Sequence, residues 1–116
     1  MASTKANVRD RAANDLGILQ LGQSLQSQDS TRIEQAYDEV YAELKKDGYA
    51  TWAATGSVPD ELTQHVVALV AFNCVGAYGV SPARYQRIVG AAALAKPEIR
   101  KLTTPDFESL LQPVDY

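Results

Sequence analysis

The stretch from Pro59 to Gly79, "PDELTQHVVALVAFNCVGAYG", decides the fold. Pro59 suits the first turn of a helix, where no amide is needed, and Asp60 and Glu61 suit the positive end of its dipole. From Val66 to Phe72 the residues read "VVALVAF", with no polar position on any side. A helix that is apolar almost all round belongs in the centre of a bundle. Ala68, Ala71, Gly76 and Ala77 would let neighbouring helices come close. The helix is expected to reach about Tyr78, where Gly79 breaks it.

Upstream lies the clearest amphipathic pattern. Ile33, Ala36, Tyr37, Val40, Tyr41 and Leu44 follow at steps of three and four, one face of a 3.6-residue helix. Thr31-Arg32-Ile33-Glu34 fits a capping box, which predicts the start at Thr31. "KKDG" ends the helix, with cations near the negative end of the dipole and Gly48 as the stop. Before it, Thr4 to Leu16 carries a weaker stripe of Ala6, Val8, Ala12, Ala13 and Leu16, closed by Gly17. "ILQLGQSLQSQDS" then reads as a loop anchored by Ile18, Leu19, Leu21 and Leu25. Downstream, Ser81-Pro82 caps and opens a fourth helix. Its stripe of Tyr85, Ile88, Ala92, Ala95, Ile99 and Leu102 runs straight across Pro97, so the helix is expected to reach Leu102 with a bend near the proline. The fold class expected is all-α, a four-helix bundle-like domain over residues 1–102 with an extended C-terminal arm over 103–116.

The totals agree with one domain. A chain of 116 residues buries roughly two-thirds of its unfolded surface. An apolar share of 46% is ordinary for a globular protein. The apolar runs are well short of the ~20 residues that a bilayer span needs, so no membrane contact is expected. The opening "MASTKANVRDRAAND" has no apolar h-region, and the single cysteine, Cys74, cannot form an intrachain disulfide. Both point to a protein made in the cytoplasm.

Little in the sequence supports catalysis. His65, the only histidine, sits one turn after Glu61, a pairing that chance produces often. Cys74 follows His65 by nine residues, about 900° of helix, which puts the two on opposite faces. One His and one Cys do not make a structural zinc site. No Gly-rich phosphate loop and no nucleophile elbow is present. No catalytic, cofactor or metal residue is expected.

Charge is the stronger signal. The net charge is −3, yet Pro82 to Lys101 holds five bases (Arg84, Arg87, Lys96, Arg100, Lys101) against Glu98, a net of +4 that leaves −7 elsewhere. On the second helix Glu39, Glu43 and Asp47 recur every four residues, a spacing that costs roughly 0.2–0.5 kcal/mol per like-charged pair. Either this is a solvated acidic face, or it meets the basic fourth helix of another copy through Arg84, Arg87 and Arg100. Contacts between different faces of one molecule run head to tail and close into rings.

The tail "TTPDFESLLQPVDY" has two prolines, no base and four large apolar residues, Phe107, Leu110, Leu111 and Tyr116. Left bare they would cost solubility. The segment either packs back on its own bundle or lies on a partner as an extended clasp, and the prolines favour the clasp. Tyr49 and Trp52, in the loop "GYATWAATGS", either cap the bundle or offer a contact.

Taken in order, "RAANDLGIL", "DSTRIEQAYDEVYAELKKDGYATWA" and "VPDELTQHVVALVAFNCVGAYGVSP" resemble the head-to-tail connector adaptor proteins of tailed bacteriophages. The resemblance spans roughly Arg11 to Arg87. Its markers are the "LG" closing the first helix, the aromatic loop after "DG" and the "YG" ending the third helix. It implies a virion protein of the head–tail neck, a dodecameric ring docked on the portal protein. Such a ring extends the channel for packaged DNA, without sequence-specific contacts, and offers its lower face to the next connector or tail component. Under it the tail is a portal-docking arm, and Tyr49 and Trp52 are contacts of the distal loop. Two other functions stand against it: a small DNA-binding regulator using the basic fourth helix, and an enzyme using His65.

Overall fold

The computed structural model describes residues 3–19, 25–50, 52–53 and 56–103. They form four α-helices and one 3-10 turn: α1 (Lys5–Leu16), α2 (Ser27–Lys46), α3 (Asp60–Cys74), the turn Val75–Ala77, and α4 (Pro82–Thr103). The protein is all-α; among the described residues the only extended pairing is an isolated bridge between Ser3 and Val58. Of the expected arm, Thr103 is the last residue of α4, and residues 104–116, with Phe107, Leu110, Leu111 and Tyr116, lie outside the described residues.

The apolar helix takes the centre. α3 packs against α1, α2 and most extensively α4, while α1 also touches α2 and, lightly, α4. Its Leu62, Val66, Val67, Val70, Ala71 and Cys74 are buried. The α2 stripe is buried at every position named from its periodicity, Ile33, Ala36, Tyr37, Val40, Tyr41 and Leu44. Val8, Ala12, Ala13 and Leu16 come from α1, Ile88, Ala95 and Ile99 from α4. Burial of this apolar surface, at roughly 25 cal/mol per Å², is the main force holding the helices together.

The helix ends follow local chemistry, with two corrections. Thr4 caps α1, its Oγ1 accepting from the Asn7 amide at 3.2 Å. α1 and α2 end alike, at Gly17 and Gly48 with φ of 83° and 84°. The next amide reaches back to close each helix, Ile18 to the Ala13 carbonyl at 3.1 Å and Tyr49 to the Leu44 carbonyl at 2.8 Å. The expected capping box is not formed. α2 begins a turn earlier, at Ser27, so Thr31 lies inside the helix and its hydroxyl donates to the Ser27 carbonyl at 2.9 Å. Glu34 is thereby freed to bind Ser30 and Arg9. The second correction concerns α3, which stops at Cys74 and tightens into the 3-10 turn instead of reaching Tyr78. Pro59 is its N-cap, one residue before the first turn.

α4 runs through Pro97. The proline supplies no amide to the carbonyl four residues earlier, that of Ala93. Packing of Ala95 and Ile99 on the core holds the helix together on both sides of it.

Candidate docking groove

α2 and α4 lie on either side of α3, and between them runs a groove of about 610 Å³. Leu69 of α3 forms its floor, Val40 and Leu44 its α2 wall, and Val89, Ala92 and Ala93 its α4 wall. Phe72 stands at the edge, 45% exposed, a large ring that the core leaves to solvent. The α4 wall is low because two of its three residues are alanines. Polar groups rim the groove. Lys96 is ion-paired with Glu43, which ties α4 to α2 across the opening. Asn73 Nδ2 donates to Glu39 Oε2 at 2.9 Å. The arrangement is an apolar trough with a polar lip, the shape that receives an amphipathic segment.

The residues expected at subunit contacts divide. Glu43 is engaged by Lys96 of its own chain, and Glu39 by Asn73. Arg84 is also used internally: its Nη1 donates to the carbonyls of Asn14 and Asp15, each at 3.2 Å, closing the C-terminus of α1. A positive group there meets the negative end of the α1 dipole. Asp47, Arg87 and Arg100 are exposed. Asp15 lies beside Arg84 and Arg87, yet burial raises its carboxyl above the usual range despite Arg11, Arg87 and Arg84 nearby.

Of the two loop aromatics, Trp52 is an internal tie. It is 8% exposed, its indole N–H donates to the Tyr37 hydroxyl at 3.1 Å, and the Tyr41 hydroxyl donates to its carbonyl at 2.7 Å. Its ring meets Tyr41 edge to face at 5.8 Å. Of the two roles weighed for Trp52, its burial and bonds fit the cap on the bundle, where the ring holds the α2–α3 connection. Tyr49 is half-buried against the core.

The chemical candidates stand apart from one another. His65 is half-buried on α3 and Cys74 is buried on the same helix. Burial pushes the Cys74 thiol up to about 11. Tyr78 is pushed up to about 12 by burial and by the bond its hydroxyl donates to Asp29 at 3.0 Å. Among the described residues no cluster of His, Cys, Asp and Glu is arranged to hold a metal ion. No described helix is long and apolar enough to cross a membrane.

The groove had no sequence signal of its own. Its floor and walls are core-pattern residues, and its bridge joins Lys96 to a glutamate on another helix. Only the angle between α2 and α4 brings them together. No protein-family model matches the chain, and no curated protein or solved structure matches it. What fold and groove define is a class, an all-α four-helix protein with an open apolar trough.

Proposed function

We propose that the chain is an assembly subunit, a head-to-tail connector adaptor of a tailed bacteriophage. It would form a ring under the portal protein, extend the DNA channel and meet the next neck or tail component below. One observation carries the reading. The described residues close a core from their four helices, with no buried side-chain polar atom among them left without a partner. Phe107, Leu110, Leu111 and Tyr116, large apolar residues in a segment with two prolines and no base, are of the kind a docking arm uses. The order of markers along the sequence supports the same family.

Ring contacts in this reading rest on exposed charges away from the Lys96–Glu43 and Asn73–Glu39 bonds, Arg87 and Arg100 on α4 and Asp47 at the end of α2. Exposed pairs of this kind contribute up to about 1 kcal/mol each, but a closed ring repeats each contact at every interface. The DNA-binding alternative is disfavoured because Arg84, near the start of the basic helix, is committed to the α1 carbonyls.

Co-sedimentation with portal rings from the same genome tests the proposal. The expected result is saturation at one copy per portal subunit. Absence of binding, together with steeply salt-dependent binding to duplex DNA, would replace it with the regulator reading.

A further inference from the structure

We infer that the groove between α2 and α4 is the resting place of the chain's own C-terminal segment, residues 104–116, in the free protein. The inference is tested without a portal, so its failure would leave the connector reading standing.

Reach is the first argument. α4 ends at Thr103, and its groove-facing residues run back from Lys96 to Val89. Thr103 is about 10 Å beyond Lys96, and the wall itself is about 10 Å long, at 1.5 Å per residue. Thirteen residues follow Thr103, a span of up to about 45 Å when extended. After a reversal at Thr104-Pro105, two extended residues carry Phe107 about 7 Å back along α4, and six carry Leu111 about 20 Å back, level with the wall. Proline directly after a helix end suits such a stop.

Chemistry is the second. In an extended segment Phe107 and Leu111 fall on one side, four residues apart, and can face the groove together. Leu69 offers a floor for them, Ala92 and Ala93 leave room, and the exposed Phe72 ring is available to be covered.

Charge is the third. The segment holds Asp106, Glu108 and Asp115 and no base. The acids that bracket Phe107 would arrive beside Arg100, one turn beyond Lys96 on the same side of α4. Lys96 is already paired with Glu43 and Glu39 is bonded to a neutral amide, so Arg100 is the cation that these acids meet. Tethering to α4 favours the chain's own segment over another copy's, since the local concentration of a short tethered segment is in the millimolar range.

The test is cross-linking of the free full-length protein. Cysteines are placed by Ala93→Cys in the groove and Gln112→Cys in the tail, and bridged with a short bis-maleimide. Ala91→Cys with Gln112→Cys is the control, because Ala91 lies about 200° round α4 from Ala93. The native Cys74 is buried and keeps its thiol protonated. The expected result is a bridge within one chain, at least about fivefold more abundant for position 93 than for 91. Phe107→Ser with Leu110→Ser, added to the first pair, should bring the yield down to the control level. Equal yields at 91 and 93 would overturn the inference. Bridges found mainly in dimers would also overturn it, by giving the groove to a second copy's tail.

Discussion

The indole N–H of Trp52 donates to the hydroxyl of Tyr37 at 3.1 Å, and both side chains are buried. Through this bond the connection between α2 and α3 is fastened to the helix it leaves, with the Tyr41 hydroxyl returning a bond to the Trp52 carbonyl. Trp52→Ala should cost about 3–5 kcal/mol, as for other large buried aromatics. Trp52→Phe keeps most of the packing and loses the donor, so about 0.5–1.5 kcal/mol is expected. Urea unfolding followed by circular dichroism separates the two. Equal losses would mean that the indole donor, and not the packing of an aromatic ring, carries the tie.

Gly17 and Arg84 form a second coupled pair. A Cβ added at Gly17 would stand 3.0 Å from Arg84 Nε, on a backbone with φ of 83°. Gly17→Ala should cost about 1–2 kcal/mol from the left-handed backbone alone. Part of any further loss comes from displacing Arg84 from the Asn14 and Asp15 carbonyls. In a double-mutant cycle with Arg84→Met, the combined loss should therefore be smaller than the sum, by about 0.5 kcal/mol or more. Strict additivity would show that Arg84 is not held where the structure places it.

Arg9 joins α1 to α2 by donating to Ser30 Oγ at 3.0 Å and to Glu34 Oε2 at 3.2 Å. Ser30 in turn donates to Glu34 at 2.8 Å. The Ser30 bond first, and then Arg9, hold the Glu34 carboxyl below its usual range. A depressed carboxylate contributes stability above its ordinary value near 4.5, lost as pH falls through the folded-state value. The side chain is 36% exposed, so solvent screening keeps the contribution under about 1 kcal/mol. Glu34→Gln should lower the urea midpoint at pH 7 and leave it close to the unaltered protein's at pH 2.5. A difference that persists undiminished in acid would contradict the ionic origin.

Burial raises the Cys74 thiol to about 11, which leaves about one thousandth of it as thiolate at pH 8. An aromatic disulfide reagent should react with the folded protein at least about a hundredfold more slowly than with the protein in urea. Comparable rates would mean that the α3 face carrying Cys74 opens readily.

Much of the core was legible because its signal is local. The α2 stripe needs only the 3.6-residue period, and α3's central place follows from its lack of a polar side. The start of α2 was misread for a local reason too. "SQDS" carries no apolar residue to extend the period backward, while Thr31 and Glu34 have the spacing of a cap. The glutamate was instead taken by Arg9, 25 positions away. The groove and the Arg84 cap were illegible, and the inward turn of Trp52 undecided, because each depends on how two elements meet. Arg84 reads as one base in a basic run until α1's carbonyls lie under it. Trp52 reads as either a cap or a contact until two tyrosines of α2 are found bonded to it.

The central claim is that the tail docks a folded domain onto a portal, and binding of the Phe107→Ser, Leu110→Ser double variant to portal rings tests it most directly. The variant should keep the circular dichroism and thermal unfolding of the folded domain and lose at least about a hundredfold in affinity. Undiminished docking by a folded variant would contradict the account.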